Sequence, residues 1–385
     1  MNSKERFIKT LEGGEADRMP VTMHHIMPSF LENYMDGMSG LELFNLLGID
    51  PINWVMAYQY SPEKGEYFDP GHTSMGFLEA RRVCSDNWQI ELESLEDERY
   101  ATQRFSIVTP ERSLSMVLQS NEHTTWLAEH LVKEKSDIDI ISRYMTYPLC
   151  DVEEINREAE TFGNRGLIRG HITVFEGFGQ PGCWQDAACL FGMENLILAS
   201  MEDPAWVHAL LNILKERKKV YINSLKGAKY DLLELGGGDA STTVISPDIF
   251  NEFVAPYDAE LIEAAHQAGQ RVVYHTCGGM MPILEDIAAM EPDAMETFTP
   301  PAMGGDASLK EAKQRIGDKV CMIGGFDQFH FFKGCSPQET REEVRRCFEE
   351  AGEGGGFILS PSDHFFEADL DLLKAFADEA LTCTY

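Results

Sequence analysis

Arg271-Val-Val-Tyr-His-Thr-Cys-Gly-Gly279 is the stretch around which the chain can be read. Val272 to Tyr274 is a short apolar run that predicts a buried strand, and the strand ends at His275-Thr276-Cys277. Side chains alternate along extended backbone, so His275 and Cys277 point to the same side. Gly278 and Gly279 then allow a sharp turn. An imidazole and a thiol converging at a strand end make half of a zinc site, because zinc takes nitrogen and sulfur ligands in a tetrahedron. The alternative is a structural Cys beside a satisfied His, since two ligands alone are not a site.

Outward from this stretch, apolar runs alternate with helical patterns. Strands are expected near residues 20, 54, 168, 232, 273, 296, 321 and 358. Helices are expected at 3–14 (capped by Ser3), 40–47, from Ser136 as a cap, and at 151–161. More follow up to about 228, then at 247–268, 280–290, 308–316, 337–351 and 369–381. Strands alternating with helices predict a parallel sheet, and eight such units predict an α/β fold of the (β/α)8 TIM-barrel type. A doubly wound open sheet is the alternative, but no G-x-G-x-x-G follows the first strand. From about 60 to 135 the texture changes to short alternating runs such as Gln103-Arg-Phe-Ser-Ile-Val and Ser113-Leu-Ser-Met-Val-Leu. These predict β-hairpins in a lobe inserted into one barrel domain spanning 1–385. Glu176 to Gly182 is expected to be a loop, and Gly352-Glu-Gly-Gly-Gly356 a helix–strand turn, since it precedes a strand.

In a TIM barrel the chemistry sits at the C-terminal ends of the strands. Those ends carry His24, His25, Tyr58, Tyr60, His171, Glu234, Asp239, His275, Cys277, Glu296, Asp327, Asp363 and His364. Histidine, cysteine and carboxylates gather there with almost no Lys or Arg, which suits a metal better than a phosphate. No Lys ends a strand to form a Schiff base, and no Ser sits in a G-x-S-x-G elbow. Structural alternatives stay open: Glu234 pairing with an Arg in the barrel wall, Asp327 and Glu296 capping the next helix, Asp239 holding the glycine turn. His24 and His25 cannot both face the mouth from a regular strand.

Composition narrows the partners. Hydrophobic residues make up 43%, enough for a large core. The formal net charge is −32, which argues against nucleic acid and against anionic membranes. No apolar run approaches the roughly 20 residues a membrane helix needs. The first residues lack the apolar core of a signal peptide, and the nine cysteines show no paired framework, so a reducing cytoplasm is expected.

The opening Lys4-Glu-Arg-Phe with Asp17-Arg18-Met-Pro-Val resembles the uroporphyrinogen decarboxylase superfamily. So do Ile245-Ser-Pro-Asp-Ile-Phe-Asn-Glu-Phe-Val-Ala-Pro-Tyr257, His275-Thr-Cys-Gly278 and Gly324-Gly-Phe-Asp327. The resemblance runs nearly end to end and implies a TIM barrel. Decarboxylases of that superfamily carry an Arg-Gln-Ala-Gly-Arg segment after the first strand that holds substrate carboxylates; here the place reads Met23-His-His-Ile-Met-Pro-Ser, without arginine. The cobalamin-linked methyltransferase branch is similar in its His-x-Cys zinc half-site. Its coenzyme M methyltransferases have a further Cys after the last strand, where this chain has Ser360-Pro-Ser-Asp-His364. A zinc with one thiolate and a carboxylate is more Lewis acidic and suits polarising a methyl ether oxygen.

The resemblance therefore implies an O-demethylating methyltransferase. It would pass a methyl group from a methoxylated aromatic, or another small-molecule methyl donor, to cob(I)alamin on a corrinoid protein. Zinc would lie on His275, Cys277, Glu234 and Asp363, with His364 and Asp239 catalytic and His24 and Tyr60 binding substrate. The alternatives are a metal-free decarboxylase in which Asp239 handles protons, a methylcobalamin:thiol methyltransferase, and a non-catalytic corrinoid- or metabolite-binding protein. The sequence leaves the oligomeric state open, a homodimer included.

Overall fold

A computed structural model of the chain describes residues 1–71, 81–96, 99–172 and 181–385. Part of the expected 176–182 loop and two segments of the hairpin region lie outside these residues. Seven parallel strands form one curled sheet, in the order Ile52–Trp54, Leu167–His171, Leu232–Gly236, Val272–His275, Ala294–Thr297, Cys321–Phe326 and Phe357–Pro361. The eighth position, expected as a strand over 19–23, is a single parallel bridge between Val21 and Leu359. Leu359 N–H donates to Pro20 O, Thr22 N–H to Leu359 O and Asp50 N–H to Val21 O, so this segment closes the gap between the last strand and the first. The fold is therefore a TIM-barrel-like α/β fold. The strand expected over 52–58 stops at Trp54, and Tyr58–Gln59 pairs instead with Leu149–Cys150, antiparallel.

Inward side chains follow the two-residue period of a strand. Ile52, Leu167, Leu232, Val273, Ala294, Cys321, Ile323 and Ile358 form one buried apolar layer. Phe7 and Leu11 of helix Ser3–Leu11 pack into the same layer and plug the barrel from its N-terminal end. Two residues further along the strands come Arg169, Glu234, His275 and Glu296, all buried. The barrel interior thus changes from hydrocarbon to charge within one layer, toward the C-terminal mouth.

The Asp17-Arg18 motif has a structural reason. Arg18 donates to both oxygens of buried Asp50 at 2.8 and 3.0 Å, Arg6 donates to Asp50 and Asp17, and Asp50 accepts from Val21 N–H at 3.1 Å. One carboxylate ties the plug helix to the closing bridge. Asn2, not Ser3, caps that helix, in a capping box with Glu5. Ser136 makes no cap bond either; Asp137 accepts from Lys133 and Glu134 N–H instead. The 247–268 helix contains a wide π turn, Phe250–Val254, just before Pro256, whose missing N–H favours such a break.

The inserted region contains a four-stranded antiparallel sheet of Gln89–Leu95, Ala101–Val108, Ser113–Ser120 and Thr125–Glu129. Its hairpin tip carries His123, which lies edge-on to Phe366, 5.3 Å away, and Phe366 in turn lies edge-on to His364. Among the described residues, no helix is long and apolar enough to cross a membrane.

Candidate metal centre

Among the described residues, ligand atoms of His24, Glu234, His275 and Glu296 lie within 4.8 Å of one another. Four different parts of the barrel deliver them. Glu234, His275 and Glu296 come from neighbouring strands, and the register pairs His275 with Glu296. His24 arrives from the segment after the Val21 bridge. That segment leaves the strand conformation, so His24 and His25 are both buried, with ring centroids 3.8 Å apart. The strand is not regular here, so both rings can be buried, and of the two only His24 is among the four cluster residues.

Arg169 lies at the centre of the network and is fully buried. It donates to Glu296 through both terminal nitrogens, at 3.1 and 2.9 Å, and to Glu234 Oε2 at 3.1 Å. Its guanidinium also covers the face of Trp54, with Cζ 4.6 Å from the ring centroid. Glu234 therefore does pair with an Arg in the barrel wall, and it also belongs to the cluster. Glu296 caps no helix. Asp327 does, accepting from His330 N–H at 3.1 Å.

The two glutamates divide the charge unequally. Burial works against ionising Glu296, but Arg169 and His24 hold its pKa well below the usual carboxylate range. Glu234 shares only one oxygen with Arg169, and burial, with Glu296 nearby, pushes its pKa up. Burial also disfavours a charge on His275; Glu234, Cys277 and Glu296 nevertheless raise its pKa well above the ordinary value. Glu234 Oε1 and His24 Nε2 are buried with no hydrogen-bond partner.

The remaining expected residues surround this group. Cys277 is half-buried and hydrogen-bonds the His275 ring. Its sulfur lies against Gly238, where an added Cβ would come within 2.5 Å of it. The glycine turn after strand Leu232–Gly236 is thus what makes room for the thiol. Asp239, next in sequence, donates its N–H to Gln185 Oε1, and burial raises its carboxyl pKa. Asp363 and His364 turn toward each other. Asp363 Oδ1 lies 2.8 Å from His364 Nδ1 and accepts from its backbone N–H at 2.8 Å. Burial opposes ionising Asp363, but His364 and the field of His275 bring its pKa down to about 2. Tyr60 lies edge-on to Phe68, 4.9 Å away, and is not among the side chains that meet at the cluster.

The sequence marks Glu296 only as a strand-end carboxylate and does not single out Arg169. The signal for both was the two-residue spacing, Leu167 to Arg169 and Ala294 to Glu296, which places them one layer above apolar residues.

Comparison with known proteins agrees with this architecture. Among solved structures, a methyltransferase from Methanosarcina mazei superposes with a TM-score of 0.63 at 16% identity, over 99% of this chain and 98% of that one. That likeness speaks for the fold. Among curated relatives, the uroporphyrinogen decarboxylase of Chromohalobacter salexigens is 29% identical over 163 residues, 41% of this chain and 43% of that protein. That of Aliivibrio salmonicida is 30% identical over 165 residues, 41% of this chain and 43% of its own length. The matched region spans less than half the length of these relatives. Residues 179–381 match the family model for uroporphyrinogen decarboxylase (URO-D), a region that carries Glu234, His275, Cys277, Glu296 and Asp363. Because that match takes in more than half of the chain, the protein belongs to the uroporphyrinogen decarboxylase (URO-D) family.

Proposed function

We propose that this protein is a zinc-dependent methyltransferase. It would take a methyl group from a methoxylated, aromatic or other small-molecule donor and pass it to cob(I)alamin carried by a corrinoid protein. The observation that carries this reading is the convergence of two imidazoles and two carboxylates beside a thiol at the barrel mouth, with two buried polar atoms, His24 Nε2 and Glu234 Oε1, lacking partners. The donor set fits a divalent metal by charge as well as by type. One guanidinium and one divalent cation would balance two carboxylates and a thiolate, which removes the cost of an uncompensated buried charge. His275, Cys277 and Glu234 would hold the metal. Bound there, zinc would supply Lewis acidity to an ether oxygen, which leaves poorly without help.

The chain's own residues supply the rest. Glu296, gripped by Arg169, fixes the His275 ring. Asp363 and His364 stand at the open side, partly exposed, where a donor would enter, and Asp363 orients the His364 ring toward hydrogen-bonding the donor oxygen. Loss of the methyl group leaves that oxygen needing a proton. Asp239 keeps its proton to higher pH than an exposed aspartate and would deliver it.

The test is anaerobic incubation with methoxylated aromatics and cob(I)alamin, free or on a corrinoid protein. The expected result is the absorption spectrum of methylcobalamin with zinc-loaded wild type and none with His275→Ala. Failure with every donor would overturn the assignment. The family's name supports a second reading, decarboxylation, for which the assay is coproporphyrinogen formation. Little turnover is expected, because residues 23–30 offer no arginine to clamp a polycarboxylate.

A further inference from the structure

The two histidines of the cluster face the same carboxylate, His24 with Arg169 Nη1 also 3.5 Å from its Nδ1. His24 Nδ1 lies 3.3 Å from Glu296 Oε2, and His275 Nδ1 lies 3.3 Å from Glu296 Oε1. One carboxylate therefore serves both rings. It cannot turn away, because Arg169 grips both its oxygens and is itself fixed by Glu234 and by the face of Trp54. A carboxylate that accepts from Nδ1–H selects the tautomer whose Nε2 is a bare lone pair. Where Glu296 takes Nδ1–H, Nε2 of each imidazole is the atom left to face an electron-pair acceptor.

The surroundings match. His24 Nε2 has no hydrogen-bond partner and lies 3.8 Å from Glu234 Oε2, while Glu234 Oε1 is also without a partner. With Nδ1–H held by Glu296, both orphan atoms offer lone pairs that a cation would satisfy together. Asp363 is turned toward His364, its Oδ1 taking both the ring and the backbone N–H of that residue. We propose that Arg169 and Glu296 are a positioning pair that presents Nε2 of His24 and of His275 together. His24, rather than Asp363, is then the fourth protein ligand beside His275, Cys277 and Glu234. This rests on the metal-centre reading above and assigns His24 a role other than substrate binding.

The test uses the full chain and two metals. Zinc affinity is measured by competition with a chromophoric chelator, and Co(II) absorption reports ligand type and geometry. Wild type, His24→Ala, His24→Asn, Glu296→Gln and Asp363→Ala are compared, with circular dichroism to confirm folding. Both His24 variants should bind zinc at least about 10-fold more weakly and alter the Co(II) bands. Glu296→Gln should lose about 10–100-fold in affinity and keep the thiolate-to-cobalt band, because Cys277 is untouched. Asp363→Ala should bind like wild type. If the His24 variants bind like wild type, or Asp363→Ala alone loses the metal, the assignment of His24 is overturned while the metal centre stands. If wild type binds neither metal, both fall.

Discussion

Asp258 lies behind strand Val272–His275, fully buried, and accepts from Tyr274 O–H at 3.1 Å and Cys183 N–H at 3.3 Å. Burial pushes its pKa up to about 6, against the pull of those two donors. The fold therefore prefers the protonated carboxyl. Its contribution to stability is complete below the unfolded value near 3.8 and is lost as pH rises toward 6, an amount on the order of 3 kcal/mol. Asp258→Asn removes this titration. Denaturant unfolding of both proteins at pH 4 and pH 7 should show the variant gaining on wild type by about that amount at the higher pH. A difference independent of pH would show that Asp258 is ionised in the fold. At this scale the sequence was legible for residues whose neighbours in the chain carry the signal, such as His275 and Cys277. It was not legible for Arg169, because a guanidinium between Ile168 and Gly170 declares its partners only when the curled sheet brings Glu234 and Glu296, from two other strands, to its interior. The contact between Asp363 and His364 was not legible for a related reason: the backbone leaves the strand after Pro361, so adjacent side chains can meet.

Among elements, seven of the eight expected strands are present as strands of the parallel sheet, since parallel strands buried on both faces read as plain apolar runs. The exceptions lie where pairing, not composition, sets the length. Val21 keeps one bridge because Asp50 and Arg18 hold that segment by side chains. The helix Ser3–Leu11 is also more than a lead-in to the barrel, as Phe7 is buried among Leu167, Leu232 and Ile358. Phe7→Ala should cost about 3–5 kcal/mol of stability, read as a shift in the denaturant midpoint, because the bottom of the barrel cannot collapse to fill the gap. Metal binding by any folded protein should change little, since the charged layer lies on the far side of the apolar one. A midpoint within experimental error of wild type would mean that the helix does not plug the barrel. Likewise Gly238→Ala should weaken metal binding, as its Cβ would fall 2.5 Å from the Cys277 sulfur and displace the thiol.

For the whole molecule, one barrel places hydrocarbon at its base and paired charge at its mouth, and the hairpin tip bearing His123 reaches the rim beside Phe366 and His364. The cluster is costly to assemble: each carboxylate and the guanidinium give up water, and removing one partner leaves the others uncompensated. The proposed divalent metal would account for that arrangement, its orphan atoms and the space over Gly238 together. The most direct measurement is the metal content of the purified protein, determined by elemental analysis for wild type and for the His275→Ala, Cys277→Ser double variant. The account predicts about one zinc per wild-type chain and a sharp loss in the variant, as for removal of half of a four-coordinate site. Wild-type protein that takes up no zinc, or a variant that retains it in full, would contradict the metal centre.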